Sequence, residues 1–436
     1  MARLSGSRPG RHGPGGVTRA LVVFACTVAM AILACLLHPA SAAGRRHLLQ
    51  GDEVLTSPLS ICATLVDTRL VAECRGILMT TPSADFVPSA PGETCEAHAR
   101  NVVITNNSMR LYYILDQFCF LNETRTRQAL SYWSADLQGV DTGVVTAAQG
   151  TLLTHWWNSS AVNGPAETEP TVRHTWGIVT ADMVPMVYAY GLELSRGESH
   201  LFVSAFTFDS PTVTSNISWV VMIDVADGSR VSIPVGAHLG YGVAFNPAKT
   251  QLYFSDASAP PRILVAEMTG IETLNTSNFR PMPLISFAAA AGVSRPIFSA
   301  HSFTANGSCL YFIDDNHDRV LALNLVSETV AIIATESPSA LLVADEKASS
   351  FRGRFGEVAT TSDGLNVFVS DFEGMLWQIT LEQACGTPMS KSIVANYQGG
   401  GVWGLIVSRD DLYVYVGTAD GHITRLGLNL PTPPPA

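Results

Sequence analysis

A short pattern recurs along this chain, and a recurring unit restricts the fold more than any single motif does. In each copy an alternating apolar stretch ends in Ser, Asn or Thr, a polar turn follows, and an apolar pair such as Leu-Tyr begins a second stretch. Four copies carry a glycine after an aromatic residue, at Tyr190-Gly191, Tyr241-Gly242, Phe355-Gly356 and Trp403-Gly404. The second stretches begin at Leu201, Leu252, Val367 and Leu412 in these copies, and at Leu111 and Leu310 in two copies without the glycine.

Further alternating stretches follow each pair, for example Arg262 to Met268 and Arg230 to Val235. Apolar residues at every second position, bounded by Gly, Asp, Asn and Ser, indicate antiparallel strands. Four such strands that recur every 45 to 60 residues, roughly, have the spacing of blades in a β-propeller. We therefore predict an all-β chain that forms a single β-propeller with four-stranded antiparallel blades, six in number or, if Gly143 to Leu152 begins another copy, seven. The glycines are expected to let the innermost strands approach closely at the axis, where a Cβ would clash.

Two copies resemble a known family. Leu310-Tyr311-Phe312-Ile313-Asp314 with Asn316 and Arg319 resembles the NHL repeat, and Leu252 to Asp256 with Arg262 is similar; the related YWTD propellers share the Leu-Tyr-x-x-Asp feature. The resemblance covers roughly residues 96 to 429. It implies that Asp314 with Arg319, and Asp256 with Arg262, fix the turn after the second strand. It specifies a scaffold and no activity, because NHL-like propellers include enzymes, adhesion modules and RNA-binding domains.

Residues 1–42 have the layout of a secretory signal peptide. Arginines precede an uncharged apolar run from Leu21 to Leu37, and Ala40-Ser41-Ala42 offers small residues for cleavage. An uncleaved signal anchor is the alternative, because the run is just long enough to span a bilayer. Either interpretation exports the rest of the chain. We expect a secreted, extracellular protein or, with an uncleaved leader, a single-pass membrane protein.

Three parts follow the leader: a Cys-containing segment at 43–95, the propeller at 96–429, and a Pro-rich tail at 430–436. The last repeat ends after its third strand, near Leu428. We therefore expect the Cys-containing segment to supply the missing strand and close the ring, at Ser60 to Val66. The tail and the segment from Arg45 to Gln50 resemble exported proteins of volvocine green algae.

Cysteine and asparagine patterns agree with export. The cysteines after the leader are even in number and suggest disulfides, with 15 alternative pairings; they are Cys62, Cys74, Cys95, Cys119, Cys309 and Cys385. Four of them lie between 62 and 119, so we expect that region to be cross-linked locally. Glycosylation sequons occur at Asn106, Asn122, Asn158, Asn216, Asn275 and Asn306.

Charge restricts the partners. The formal net charge is −11, and only 14% of the residues are charged. Few basic residues argue against nucleic-acid binding, because a protein neutralises phosphates with a basic surface. We expect an extracellular protein or glycan as partner, no nucleic acid, and membrane contact only through an uncleaved leader.

Two groups of residues are candidates for a site on the propeller axis. An aromatic column would bind sugars or aromatic peptide side chains if its members surround one channel mouth, and packing between blades is the alternative. Its members are Tyr190, Tyr241, Phe355 and Trp403. The second group is His98, His238 and His301, at or just before innermost strands. NHL propellers of the amidating-lyase type hold zinc with such histidines, and ordinary strand-end histidines are the alternative.

No cofactor is predicted, with zinc or calcium as alternatives. The densest oxygen cluster is Asp314, Asp315, Asn316 and Asp318; it suits calcium, but a self-bonded turn is the stronger interpretation. The sequence contains no catalytic motif. We expect an extracellular binding module for protein or glycan ligands at the cell surface or matrix. The alternative is a secreted metal-dependent propeller hydrolase or lyase, with a central-channel site built from the histidines and acids such as Glu193 and Glu357.

Overall fold

The computed structural model describes seventeen stretches of the chain. They are residues 64–65, 71–77, 91–121, 124–137, 150–158, 186–208, 218–235, 242–256, 262–269, 273–274, 280–281, 298–314, 318–335, 355–371, 374–397, 401–419 and 421–430. Regular structure in these stretches consists of β-strands alone, numbered β1 to β26 in chain order. Within them, no helix has the length and hydropathy that crossing a bilayer requires.

The strands form six antiparallel sheets, which we call blades 1 to 6. The N-terminal segment supplies β1 (Thr64–Leu65) and β2 (Val71–Ile77). Blade 1 contains β3 (Glu93–Ile104), β4 (Arg110–Leu121), β5 (Thr124–Asp136) and β6 (Gly150–Asn158). Blade 2 contains β7 (Met186–Leu194), β8 (His200–Phe208), β9 (Ser218–Asp224) and β10 (Arg230–Pro234). Blade 3 contains β11 (Val243–Phe245), β12 (Gln251–Asp256), β13 (Arg262–Thr269), β14 (Thr273–Leu274) and β15 (Arg280–Pro281).

The remaining blades follow the same order. Blade 4 contains β16 (Phe298–Phe303), β17 (Cys309–Asp314), β18 (Arg319–Asn324) and β19 (Thr329–Thr335). Blade 5 contains β20 (Phe355–Thr360), β21 (Asn366–Asp371), β22 (Met375–Leu381) and β23 (Pro388–Asn396). Blade 6 contains β24 (Val402–Val407), β25 (Tyr413–Thr418) and β26 (Ile423–Leu428).

The first strands of the blades form a closed ring. Each of β3, β7, β11, β16, β20 and β24 contacts the first strand of the following blade, and β24 contacts β3. Apolar clusters fill the spaces between neighbouring blades, so that each sheet shields its neighbour from water. The chain folds as a six-bladed β-propeller, which confirms the predicted fold class and the smaller of the two blade counts.

The N-terminal segment closes the ring. β2 pairs with β26 and becomes the outermost strand of blade 6, whereas β1 pairs with β23 at the edge of blade 5. The closing strand is therefore Val71–Ile77, and the assignment to Ser60–Val66 was wrong. Both segments contain residues that favour strands, and only the pairing partner distinguishes them.

The turn between the first and second strands is built in the same way in all six blades. Its first residues are Thr105, Ser195, Asn246, Thr304, Thr361 and Ser408. The backbone N–H of each donates to the carbonyl oxygen five positions later, at 2.8–3.0 Å. The side-chain oxygen of each accepts the backbone N–H of that later residue, at 2.9–3.1 Å. The residue three positions after each has a positive φ, from 55° to 74°.

These turns show which residues are equivalent in the six blades, and they correct the position of the repeat in blade 6. The residue six positions after each turn start is fully buried, and in blade 6 that residue is Val414. Leu412, to which the sequence pattern assigned this role, lies in the turn and is 52% exposed. The Leu412-Tyr413 pair imitates the motif, but the hydrogen bonds of Ser408 place the buried pair two residues later, at Val414-Tyr415.

The turn residue Thr304 is expected to contribute measurably to stability. Thr304→Val should lower the free energy of unfolding by about 1–2 kcal/mol, because valine keeps the shape but cannot accept the N–H of Cys309. Chemical denaturation measures this change. Thr329→Val, on the exposed edge strand β19, is the matched control and should change little. An equal loss in both variants would contradict the role of the turn hydrogen bond.

Glycines allow the inner strands to approach one another, as predicted. A Cβ at Gly191 would lie 2.7 Å from the backbone nitrogen of Val243 in blade 3. One at Gly404 would lie 2.9 Å from the backbone nitrogen of Asn101 in blade 1. Both distances are shorter than van der Waals contact, so any side chain there would push neighbouring blades apart.

Two disulfides are present among the described residues. Cys95–Cys119 joins the paired strands β3 and β4 within blade 1, in the region where local links were expected. Cys309–Cys385 joins β17 of blade 4 to the turn after β22 of blade 5. Cys62 and the side chain of Cys74 lie outside the described residues. Disulfides of this kind are typical of proteins in oxidising compartments.

Candidate binding site at the channel mouth

The two faces of the propeller differ. Because neighbouring strands are antiparallel, the six turns described above lie on one face, which we call the turn face. The segments that link second to third strands, and each blade to the next, begin and end on the opposite face, the connection face. Several of these segments are much longer than the turns, including 159–185, 282–297 and 336–354. Binding residues tend to lie on such variable connections over a rigid scaffold.

Among the described residues, the first two strands of blade 1 extend further on the connection face than those of the other blades. β3 and β4 have 12 residues each, whereas the first strands of blades 4, 5 and 6 have 6. The extra residues form what we call the overhang, from Glu93 to Ala97 and from Gln117 to Leu121. The Cys95–Cys119 disulfide cross-links the overhang through its two directly opposed strands.

A row of side chains in mutual contact, which we call the aromatic ladder, runs from the overhang toward the propeller axis; its Phe120–Phe118 and Phe118–His98 contacts are edge-to-face, and His98 stacks on Trp403. Its members in order are Phe120, Phe118, His98, Trp403, Arg100 and Tyr190. Successive ring centroids lie 5.2, 4.6 and 5.1 Å apart from Phe120 to Trp403. The Arg100 guanidinium carbon then lies 4.3 Å from the Trp403 ring and 5.8 Å from the Tyr190 ring. The ladder thus joins blades 1, 6 and 2 at the mouth of the channel.

The Arg100 guanidinium of the ladder forms a buried ion pair with Asp116. Arg100 Nη2 lies 3.1 Å from Asp116 Oδ2, and both side chains are buried. The Trp403 and Tyr190 rings also favour the guanidinium through cation–π attraction. Trp403 and Tyr190 keep part of their surface exposed, so a ligand at the mouth would touch these two rings first.

His98 is neutral near physiological pH. Burial lowers the pKa of His98, and the hydrogen bond to Glu96, with Nε2 3.4 Å from Oε2, opposes that effect only in part. The nearby Arg100 guanidinium lowers the pKa of His98 further. A neutral imidazole can stack on the Trp403 indole without bringing a second charge beside Arg100.

The burial of His98 predicts a pH dependence of stability. Below pH 6.5 the unfolded chain binds a proton that the folded chain binds only at lower pH. The free energy of unfolding should therefore fall on acidification, with a contribution from this residue of at most about 1.4 kcal/mol per pH unit. His98→Phe should flatten the profile between pH 7 and 5 in urea denaturation. His200→Phe, at a partly exposed position beside Asp224, is the control; a profile unchanged by His98→Phe would contradict the prediction.

The structure brings two residues of the predicted aromatic column together. Tyr190 lies eleven positions before Leu201, and Trp403 lies eleven positions before Val414. Both rings contact Arg100 in the ladder. Phe355 lies twelve positions before Val367, and it is 1% exposed in the core between blades 4 and 5. Placing Phe355 at the channel mouth was therefore wrong: Gly356 occupies the equivalent position. Tyr241 lies outside the described residues.

Arg100 is the functional candidate that the sequence pattern missed. It lies eleven positions before Leu111 and so occupies the same register as Tyr190 and Trp403. The copy in blade 1 lacks the aromatic-Gly pair, and counting back from Leu111 would have found the position. Its contacts with Trp403 and Asp116 are visible only in three dimensions.

The histidine-based metal prediction stays a prediction. His238 lies outside the described residues, and His301 is described only as a strand residue opposite Phe312. In the described part of the chain, one group of metal-ligating atoms lies within 4.8 Å of one another, namely Glu93 with Cys95 and Cys119. Their sulfur atoms are joined in the disulfide and are not available as thiolate ligands.

The oxygen-rich candidates are described only in part. Arg319 Nη2 lies 2.5 Å from Asp314 Oδ2, so the two residues to which the resemblance gave a structural role form an ion pair. Arg262 Nε and Asp256 Oδ2, the other two such residues, form an ion pair at 2.8 Å. Asp315 and Asn316 lie outside the described residues, and Asp318 occupies a turn with a φ of 45°.

Glu193 and Glu357, the two acids proposed for a central-channel site, have different partners in the structure. Glu193 forms an ion pair with Lys249 of blade 3, with 2.7 Å between Oε2 and Nζ. Glu357 accepts a hydrogen bond from the Asn101 side chain, at 2.9 Å.

The glycosylation sequons are described only in part. Asn106 and Asn306 are exposed on the turn face, Asn158 ends β6, and the other three lie outside the described residues.

Comparison with known proteins adds little to these observations. No protein-family model matches the chain, and no curated protein sequence does. A chain in the "Crystal structure of Nidogen/Laminin Complex" is similar, with 9% sequence identity and a TM-score of 0.39. The match covers 74% of this chain and 85% of that one. Similarity at this level carries no functional argument, and the propeller assignment rests on the strand pairing itself.

Proposed function

We propose that the protein is an extracellular binding module that holds a protein ligand on the connection face, at the aromatic ladder. One observation carries this proposal: the Arg100 guanidinium contacts both the Trp403 and the Tyr190 rings at the channel mouth, beside the cross-linked overhang of blade 1. Partly exposed aromatic rings on rigid strands are typical of binding surfaces, because they lose little entropy on contact.

A protein ligand fits this surface better than a glycan, which is the other expected partner. His98 and Arg100 already contact the Trp403 indole, whereas a sugar ring needs a free aromatic face on which to stack. Protein side chains can pack against ring edges and pair with the exposed Glu96 on the overhang. The negative net charge also favours a partner with basic residues.

Export and an NHL-like character belong to the same proposal. The disulfides, the sequons and the signal-like leader support an extracellular location. The Asp256–Arg262 and Asp314–Arg319 pairs support a relationship to NHL or YWTD propellers. The likeness to volvocine algal proteins rests on the leader-proximal and Pro-rich segments alone.

Site-specific photocrosslinking tests the proposed face. A photoreactive amino acid at Glu96 should capture a defined protein from the extracellular matrix, and the same group at Glu328, on the turn face, should not. Trp403→Ala should reduce capture at position 96 at least tenfold while circular dichroism stays unchanged. Equal capture at both positions, or capture unaffected by Trp403→Ala, would contradict the proposal. Quenching of tryptophan fluorescence by neutral oligosaccharides, without protein capture, would favour a glycan.

One observation supports the alternative function, a metal-dependent hydrolase or lyase. His98 is held neutral at the channel mouth, and neutral imidazole is the form that ligates zinc. Elemental analysis of the purified protein tests this alternative, which requires stoichiometric zinc that is lost in His98→Gln.

A further inference from the structure

Two of the sequons lie in equivalent turns on opposite sides of the propeller. Asn106 directly follows Thr105, the turn start of blade 1, and Asn306 lies two positions after Thr304, the turn start of blade 4. Both asparagines are exposed on the turn face. Blades 1 and 4 are three steps apart in either direction around the closed ring of first strands. The two asparagines therefore lie across the turn face from each other.

The second residue after the turn start makes the same hydrogen bonds in four blades. The residues at this position are Asn107, Asn306, Asp363 and Asp410. Each Oδ1 accepts the hydroxyl of its turn start at 2.6–2.8 Å. Each also accepts the backbone N–H two residues later, at 2.9–3.1 Å. Asparagine and aspartate both supply this oxygen, so the turn does not need an amide nitrogen.

The Asn306 side chain therefore has a nitrogen that its turn does not use. Its Oδ1 also accepts the Ser308 hydroxyl at 2.8 Å, so three donors hold the oxygen toward the turn. Nδ2 is on the other branch of the amide and points away from these donors. Asn106 reaches the same condition differently: its backbone N–H donates to Glu198 Oε1 of blade 2, and its exposed side chain is outside that contact.

We propose that N-linked glycans on Asn106 and Asn306 cover the turn face from opposite sides and keep macromolecular partners away from it. In this modification the amide nitrogen attacks C1 of a lipid-linked oligosaccharide diphosphate. The C1–N bond forms, the C1–O bond to the diphosphate breaks, and the nitrogen releases one proton as the lipid diphosphate leaves. N-linked glycans are bulky and hydrophilic, so they exclude a docking protein from the surface beside them. The inference rests on the exported location in the proposed function but not on the aromatic ladder.

Mass spectrometry of intact glycopeptides maps the occupied asparagines. The full chain is expressed with its own leader in a eukaryotic cell, and we expect glycans at Asn106 and Asn306. Asn107 is the matched control: it makes the same turn contacts as Asn306 but begins no sequon, so it should stay unmodified. Glycans at other sequons but at neither of these two would overturn this inference alone. A chain that is neither secreted nor glycosylated would also overturn the proposed extracellular location.

Two variants test the separate roles of the Asn306 oxygen and nitrogen. Asn306→Asp keeps the turn oxygen, as in Asp363 and Asp410, and should lose the glycan while melting at the same temperature as enzymatically deglycosylated protein. Asn306→Ala removes the oxygen as well and should melt at a temperature roughly 2 °C lower. Equal melting temperatures in the two variants would contradict the role assigned to the oxygen.

Streptavidin capture tests whether the glycans cover the turn face. Glu328 is exposed in another turn of blade 4, on the same face as Asn306. A biotinylated amino acid at position 328 should be captured about threefold faster, or more, when Asn106→Asp and Asn306→Asp remove both glycans. The same group at Glu96, on the overhang, is the control and should be captured at an unchanged rate. A rate at position 328 that the double variant does not alter, or an equal increase at both positions, would overturn the proposal.

Discussion

Replacing Arg319 by methionine should lower the free energy of unfolding by about 3–5 kcal/mol, the range for removing one partner of a buried ion pair. Asp314, its partner, is fully buried, and the Arg319 side chain is only 9% exposed. Methionine fills a similar volume without the charge, so the carboxylate would stay in the interior of blade 4 without this counter-charge. Denaturation in guanidinium chloride measures the loss.

The equivalent ion pair in blade 3 is a control that tests how the burial of the arginine changes the cost of its removal. Arg262 forms the equivalent ion pair with Asp256, but its side chain is 44% exposed. Arg262→Met should cost less than Arg319→Met, about 1–3 kcal/mol, because the Asp256 carboxylate is also buried but its arginine partner is itself partly exposed to water. Similar losses in both variants would mean that burial does not set the strength of these pairs.

Removing the disulfide between blades 4 and 5 is the other large change. Replacement of both Cys309 and Cys385 by alanine should cost about 4 kcal/mol, because the bond closes a loop across a sequence separation of 76. The Tyr311 hydroxyl spans the same interface: it donates to the Gly364 carbonyl at 2.8 Å and accepts from the Cys385 N–H at 2.9 Å. Burial raises the pKa of Tyr311 to about 12, so the hydroxyl keeps its proton in ordinary buffers.

The Cys95–Cys119 disulfide provides the control. Its sequence separation is 24, and it joins strands that already pair in blade 1. Its double alanine variant should cost about 3 kcal/mol or less. Both variants can be compared by thermal denaturation under non-reducing conditions. A larger loss from the Cys95 pair than from the Cys309 pair would contradict the argument from loop length.

The fold could be predicted because it repeats. The residue that ends each first stretch, such as Thr304, both signals the turn and forms its hydrogen bonds, so the pattern reflects a real structural unit. The exact register was harder to predict. Leu412 imitated the buried position, and Phe355 stood one residue away from the column to which it was assigned, because bulges in the first strands shift the pairing.

The candidate site was only partly predictable. Tyr190 and Trp403 share a local motif, and the sequence identified both. Their contacts with Arg100 and His98 join three blades that lie far apart in the chain. The same holds for Asn101 and Glu357, which are 256 positions apart. One sequence contains no signal for such distant pairs, because each residue alone fits an ordinary strand.

The strand order of blade 6 has a consequence for biosynthesis. β2 leaves the ribosome before any blade exists, yet its partner β26 is among the last strands to be made. β2 can make its native backbone hydrogen bonds, and so close the ring, only after the chain has been synthesised past Leu428. We infer that factors which shield exposed strand edges have their greatest effect on this protein before its synthesis is complete.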